Sequence, residues 1–178
     1  MAAIDPKRSF ANPLGNALIR YSLLAATAFL CSSAAIADTA DSVLVDKSDE
    51  KLYLLRDGHV IAEYSVSFGA NPEGHKQQEG DERTPEGSYV LDYKNSDSAF
   101  YKAIHISYPN DADKKASAAK GVDPGGAIMI HGQRYWFGWL SFITQRFDWT
   151  DGCIAVTNSE MDEIWKSVPA NTPIEIRE

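Results

Sequence analysis

Apolar and polar positions alternate in short runs along most of this chain, a pattern that predicts strands more than helices. Residues 43–45 (VLV) and 51–55 (KLYLL) are short β-type runs. Asp57-Gly58 then separates the second run from residues 60–68 (VIAEYSVSF), which predicts a hairpin. Residues 71–87 hold almost no apolar side chains and are rich in Gly, Pro, Glu and Gln, so they read as a long surface loop. Alternation resumes at 88–93 (SYVLDY) and 103–107 (AIHIS), and residues 127–130 (AIMI) form a continuous apolar run expected of a buried strand. Two helices are predicted. Residues 111–120 (DADKKASAAK) are closed by Gly121. Near the end, Thr157 and Glu160 fit a capping box ahead of a stripe of Met161, Ile164, Trp165 and Val168. That stripe is core packing, and Trp165 is given no functional role. Pro169 stops the helix and residues 173–176 close the chain as a strand. The sum is one mainly β domain with a few short helices.

The N-terminus follows a different pattern. Lys7, Arg8 and Arg20 precede the uncharged run 21–30 (YSLLAATAFL), and Ala35-Ile36-Ala37 follows. A basic start, a short apolar stretch and small residues at a cut describe a secretory signal peptide over residues 1–37, leaving 38–178 as the exported domain. The run is short of the ~20 residues of an ordinary membrane span, so no stable span is expected after cleavage. Cleavage would also remove Cys31, leaving Cys153 as a lone thiol that can form no internal disulfide. The 178 residues carry 17 Lys+Arg against 25 Asp+Glu, a net charge of −8, which argues against a nucleic-acid partner.

Candidate chemistry falls in two places. His131-Gly132 ends the buried run, at the mouth of a strand. Thr150-Asp151-Gly152-Cys153 is a polar turn whose last residue opens a short apolar strand. Gly152 can take backbone conformations closed to other residues. Consecutive N–H groups in such a turn can converge on one point, which would set oxyanion donors beside a thiol. An imidazole nearby would take the thiol proton. Spacing alone does not join His131 to Cys153; a core histidine and a buried inert cysteine stay open. A metal site from His131, Cys153, Asp151 and His105 has no supporting ligand spacing, so neither metal nor organic cofactor is expected.

At these residues the chain resembles the YkuD-type L,D-transpeptidase catalytic domain family. The resemblance rests on His131-Gly132 followed by Thr150-Asp151-Gly152-Cys153-Ile154, and on Gly80-Asp81-Glu82-Arg83-Thr84-Pro85-Glu86-Gly87 in the right order before them. It covers about residues 42–177. It implies a β-sandwich-like domain in the periplasm or cell envelope, acting on peptidoglycan stem peptides and needing no cofactor. Cys153 would attack the carbonyl of diaminopimelate and expel the terminal D-Ala. His131 would act as base and then acid, with Gly152 and Gly132 contributing backbone groups. The acyl group would pass to an amine of another stem. With water as acceptor the enzyme would be an L,D-carboxypeptidase, and an amidase releasing a wall-linked protein is a further alternative. A non-catalytic wall-binding module is the third class. The chain departs from the pattern at Ala155, where many members carry Arg or Asn, and at Asp151, where many carry His. A substrate-binding cation is therefore expected from Arg134, Arg146 or Arg83, and His105 and Thr150 are further candidate contacts. Asp151 is expected to face away or to pair with Arg146. Arg83 and Glu86 are expected to hold their loop by an ion pair, and His75 to be solvated. The aromatic insert 134–148 reads as a satellite core or a lid.

Overall fold

The computed structural model describes residues 39–134 and 148–178. The elements, in chain order, are β1 (Ser42–Asp46), β2 (Lys51–Arg56), β3 (His59–Ser65), β4 (Gly87–Ser98), β5 (Tyr101–Ile106), α1 (Asp111–Lys120), β6 (Met129–His131), β7 (Ile154–Ala155), α2 (Asn158–Ser167) and β8 (Thr172–Arg177). The strands form one eight-stranded sheet in the order β3-β2-β1-β8-β4-β5-β6-β7, so the domain is mainly β. β1–β8 and β6–β7 are parallel pairs and the others are antiparallel.

The sheet curls until its two ends meet. The chain leaving β3 makes an antiparallel bridge from Ser67 to Ala155 of β7 and a parallel one from Gly69 to Thr150. Paired Ser67–Ala155 backbone bonds of 3.0 and 2.9 Å close the ring, and Ala70 N–H and Thr150 N–H extend it. The predicted strand 60–68 thus ends at Ser65, and residues 66–68 serve this closure instead. It joins residues some eighty positions apart, Gly69 and Thr150, and so braces the turn that precedes Cys153.

Alternation sets the core. Leu52, Leu54, Leu91, Ile104, Ile106, Ile130 and Ile154 are wholly buried, and each contributes ~1.5–3 kcal/mol. α2 covers the sheet beside β5 with Met161, Ile164 and the following Val168. Both helices begin as their sequences require. Thr157 and Glu160 exchange capping-box bonds on α2, Asn110 and Asp113 do the same on α1, and Gly121 closes α1 at φ +69°. Trp165 is half-buried against the core, with Lys94 and Lys102 over its ring. The predicted strand 127–130 begins only at Met129, because Ala127 stands at φ +54°. Among the described residues no helix is long and apolar enough to cross a membrane. The signal peptide, Arg146 and most of the aromatic insert lie outside the described residues.

Candidate active site

A cavity of about 350 Å³ opens at the β5–β6–β7 end of the sheet. Ala103 and Met129 form its floor. Thr150, Asp151 and Cys153 line one wall, Asn95, Asp97, Ser98 and Phe100 line the other, and His131 and Trp149 stand between them. The two residues that the sequence singled out therefore converge on one space, which their spacing did not require.

The cysteine turn is held by its backbone. Thr150 is buried; its hydroxyl donates to the Cys153 carbonyl at 2.7 Å and accepts from Gly152 N–H at 3.2 Å. Gly152 sits at φ +116°, and a Cβ there would lie 2.5 Å from the Arg83 carbonyl oxygen. Both conformation and space exclude a side chain. The neighbouring Gly69 is equally confined, since a Cβ would meet the Glu82 carbonyl oxygen at 2.0 Å.

The carbonyls that press on these glycines belong to residues 80–87, and the loop is knotted around Asp81. That carboxylate accepts from Lys76 Nζ (2.8 Å), Gln77 N–H (2.7 Å), Gln78 N–H (3.1 Å) and Arg83 N–H (3.2 Å). Burial alone would raise the Asp81 carboxyl, but the bonds from Gln77, Lys76, Gln78 and Arg83 outweigh it and hold the group below the usual carboxylate range. Thr84, wholly buried, accepts from Gly69 N–H at 3.3 Å. The second motif is therefore a buttress for the cysteine turn.

Two expectations for this loop are corrected. Glu86 pairs with Lys47, at the end of β1, while His75 is not a solvated side chain. His75 Nδ1 accepts from Glu86 N–H at 2.9 Å, and its Nε2 lies 3.1 Å from Asp113 Oδ1. The polar composition of 71–87 concealed these bonds, because a loop without apolar residues is held by its side-chain acceptors instead.

His131 is buried, and its Nδ1 lies 2.6 Å from the Gly132 carbonyl. A carbonyl only accepts, so Nδ1 carries the hydrogen and neutral Nε2 is left as the basic nitrogen. Burial pushes the imidazole below its ordinary range, against the opposing hydrogen bond to Gly132. A Cβ at Gly132 would lie 2.6 Å from Asn158 Oδ1, which accepts from Gln133 N–H at 2.7 Å at the start of α2. The ring is packed by Phe100 (centroids 4.5 Å apart) and Trp149 (5.9 Å).

Cys153 is partly exposed, and its Sγ lies 3.7 Å from the Ala127 carbonyl oxygen. Burial pushes the thiol up, and the Asp151 charge acts in the same direction. A backbone hydrogen bond from Met129 and the charge of Lys76 oppose the rise. Both shifts favour the uncharged thiol and the uncharged imidazole. Asp151 is exposed and stands on the cavity wall rather than facing away. Ala155 is wholly buried between His131 and Ser67 and does not line the cavity.

The remaining expected contacts are distributed unevenly. Thr150 lines the cavity. Arg134 is exposed, its guanidinium carbon 5.9 Å from the centre of the Phe100 ring. His105 shares the floor's face with Ala103 but lies beyond the cavity, its Nδ1 2.7 Å from Asp92 Oδ1. Sequence reasoning missed Phe100, Ala127 and the wall at 95–99, and it gave Trp149, which opens the cysteine segment, no role. None carries a local signal except the Gly125-Gly126 pair before Ala127. Among the described residues, no group of three or more His, Cys, Asp or Glu side chains could hold a metal ion.

Comparison with known proteins agrees with this architecture. Residues 40–176 match the L,D-transpeptidase catalytic domain family. The chain is 35% identical over 118 residues to YafK of Escherichia coli (strain K12), a protein assigned to the L,D-transpeptidases, covering 65% of this chain and 38% of YafK. Among solved structures it is similar to the helical cell shape determining protein Pgp2 of Campylobacter jejuni, with 30% identity, a TM-score of 0.59 and coverage of 76% of this chain and 46% of that one. An L,D-transpeptidase from Xylanimonas cellulosilytica shares the fold at 16% identity and a TM-score of 0.50, covering 79% of this chain and 61% of that one. The chain thus spans less than half the length of YafK and of the Pgp2 chain.

Proposed function

Since the chain belongs to the L,D-transpeptidase catalytic domain family, we propose that it is an exported cysteine acyltransferase of the cell envelope acting on peptidoglycan stem peptides. The observation that carries this reading is the meeting of Cys153 and His131 on one cavity, with the imidazole tautomer fixed by the Gly132 carbonyl. Residues 1–37 are the secretion signal and 38–178 the working domain.

In this reading the resting pair is uncharged and the thiolate forms as substrate arrives. His131 Nε2 takes the thiol proton while Sγ attacks the diaminopimelate carbonyl. The oxyanion of the tetrahedral intermediate is held by backbone N–H at the turn. Gly152 N–H already faces Thr150 Oγ1, so Cys153 N–H is the principal donor. Collapse expels D-Ala, whose amine takes the proton from His131. An amine of a second stem then attacks the thioester, His131 removing its proton, and the bridge forms as Sγ leaves. Asp97 and Asp151 on facing walls suit an entering ammonium group. Arg134, beside Phe100, and Arg146 are the cations for the substrate carboxylate, with Thr150 and His105 as further contacts. Cross-linking of this kind would act on cell shape, and wall-linked proteins would be alternative partners at the acceptor step.

The test is product analysis. The purified protein is incubated with a disaccharide-tetrapeptide beside Cys153→Ala, and the products are weighed by mass spectrometry. A cross-linked dimer lacking one D-Ala, absent with the variant, is expected. Cys153-dependent loss of D-Ala without dimer would assign water as the acceptor. D-Ala loss that persists in Cys153→Ala would refute the nucleophile.

A further inference from the structure

Strand β4 slips register against β5 beside the cavity. Leu91 pairs with Ile106 and Lys94 with Ile104, so Asp92 and Tyr93 together oppose His105. In a regular strand these neighbours would point to opposite faces; the extra residue turns both toward one imidazole. Asp92 Oδ1 lies 2.7 Å from His105 Nδ1, and the Tyr93 ring stacks on the imidazole with centroids 4.6 Å apart and planes 16° from parallel. Tyr93 remains 48% exposed, so the outer face of its ring is open to solvent. The result is a flat aromatic platform with a carboxylate at its edge.

Its position gives it a use. His105 pairs with Met129 across β5–β6, and Met129 lies on the cavity floor near Cys153. Ala103, two residues before His105, and Asn95, its partner on β4, line the same cavity. The platform therefore continues the cavity floor outward along one face of the sheet. Three strand steps separate Cys153 from Tyr93, or ~14 Å at the usual strand spacing. Three residues precede the bond cut in a tetrapeptide stem, and an extended chain covers ~10 Å in three residues. A sugar bearing that stem would then lie over Tyr93.

We propose that Tyr93, His105 and Asp92 form a glycan subsite, taking the N-acetylated amino sugar that carries the acyl-donor stem. The C–H face of the pyranose lies on the exposed phenol ring, and Asp92 accepts from a sugar hydroxyl. The proposal rests on the stem-peptide reading above. The test compares kcat/KM for a disaccharide-tetrapeptide and for the free tetrapeptide in the whole protein, Tyr93→Ala and Tyr93→Phe. Wild type is expected to favour the sugar-bearing substrate about fivefold to tenfold. Tyr93→Ala should lose that preference through KM while leaving the free peptide unchanged, and Tyr93→Phe should keep it. Equal wild-type rates on both substrates, or equal losses on both in Tyr93→Ala, would overturn the subsite. If wild type turned over neither substrate, the stem-peptide reading would fail. The subsite is then judged by titrating a peptide-free N-acetylated disaccharide against the protein by NMR. Shifts at Tyr93 and His105 that vanish in Tyr93→Ala support it, and their absence refutes it.

Discussion

The two walls of the cavity are built by opposite means. The cysteine wall is locked: Thr150 ties its own turn, Gly152 admits no Cβ, and the Asp81 knot presses the Arg83 carbonyl against it. The facing wall at 95–100 ends a long, polar strand and is largely exposed, with Phe100 as its main anchor against His131. A reacting atom must be placed to within a fraction of an ångström, whereas a substrate-reading surface can tolerate change. The comparison places bond-making on the first wall and substrate choice on the second.

The largest effect that would break this division is loss of the base. His131→Ala should lower turnover by about 10²–10⁴-fold in a D-Ala release assay, with little change in substrate binding. Gly152→Ala should come next. Its Cβ would collide with the Arg83 carbonyl at a positive φ, so we expect about 2 kcal/mol or more of destabilisation in urea melts and near-complete loss of activity. Gly58→Ala, at φ +76° but in open space, should cost only about 1 kcal/mol and spare activity.

Asp81→Asn sharpens the claim that the second motif is a buttress. It should cost about 1–3 kcal/mol and reduce turnover although Asp81 does not line the cavity. Its pH dependence has a defined sign. A carboxyl lowered on folding stabilises the protein above its unfolded value of 3.8, and that stability is lost as pH falls through the folded value. The wild-type melting temperature should therefore drop at pH below about 4, and Asp81→Asn should drop less steeply. The smallest effect belongs to Asp151→Asn. Removing a charge that raises the Cys153 thiol should move the pH profile of iodoacetamide alkylation to lower pH. An unchanged profile would mean that the carboxylate does not act on the sulfur.

The locked wall was also the legible one. Gly152 and Gly132 have no room for a Cβ, and Gly80 and Gly87 stand at positive φ, so the glycines of these motifs answer to close approach or backbone conformation. The hairpin at Asp57-Gly58 and the capping box at Thr157 were readable for the same reason, since local backbone chemistry decides them. The facing wall was not readable. Residues 94–98 (KNSDS) extend β4 with no apolar alternation, because they are held by pairing with β5 and not by burial. The bulge at Asp92-Tyr93 has no Gly or Pro to mark it and exists only as a register between two strands. His75, expected to be solvated, misled in the same direction. Lys76 is buried against Asp81, a partner that only the folded loop supplies.

The central claim is that Cys153 forms a covalent acyl-enzyme with a stem peptide. Intact-protein mass spectrometry after rapid quenching with a disaccharide-tetrapeptide tests it directly. The expected result is a mass increase equal to the substrate minus one free D-Ala, mapped to Cys153 and absent from Cys153→Ala. Release of D-Ala with no adduct at any quench time, or an adduct on another residue, would contradict it.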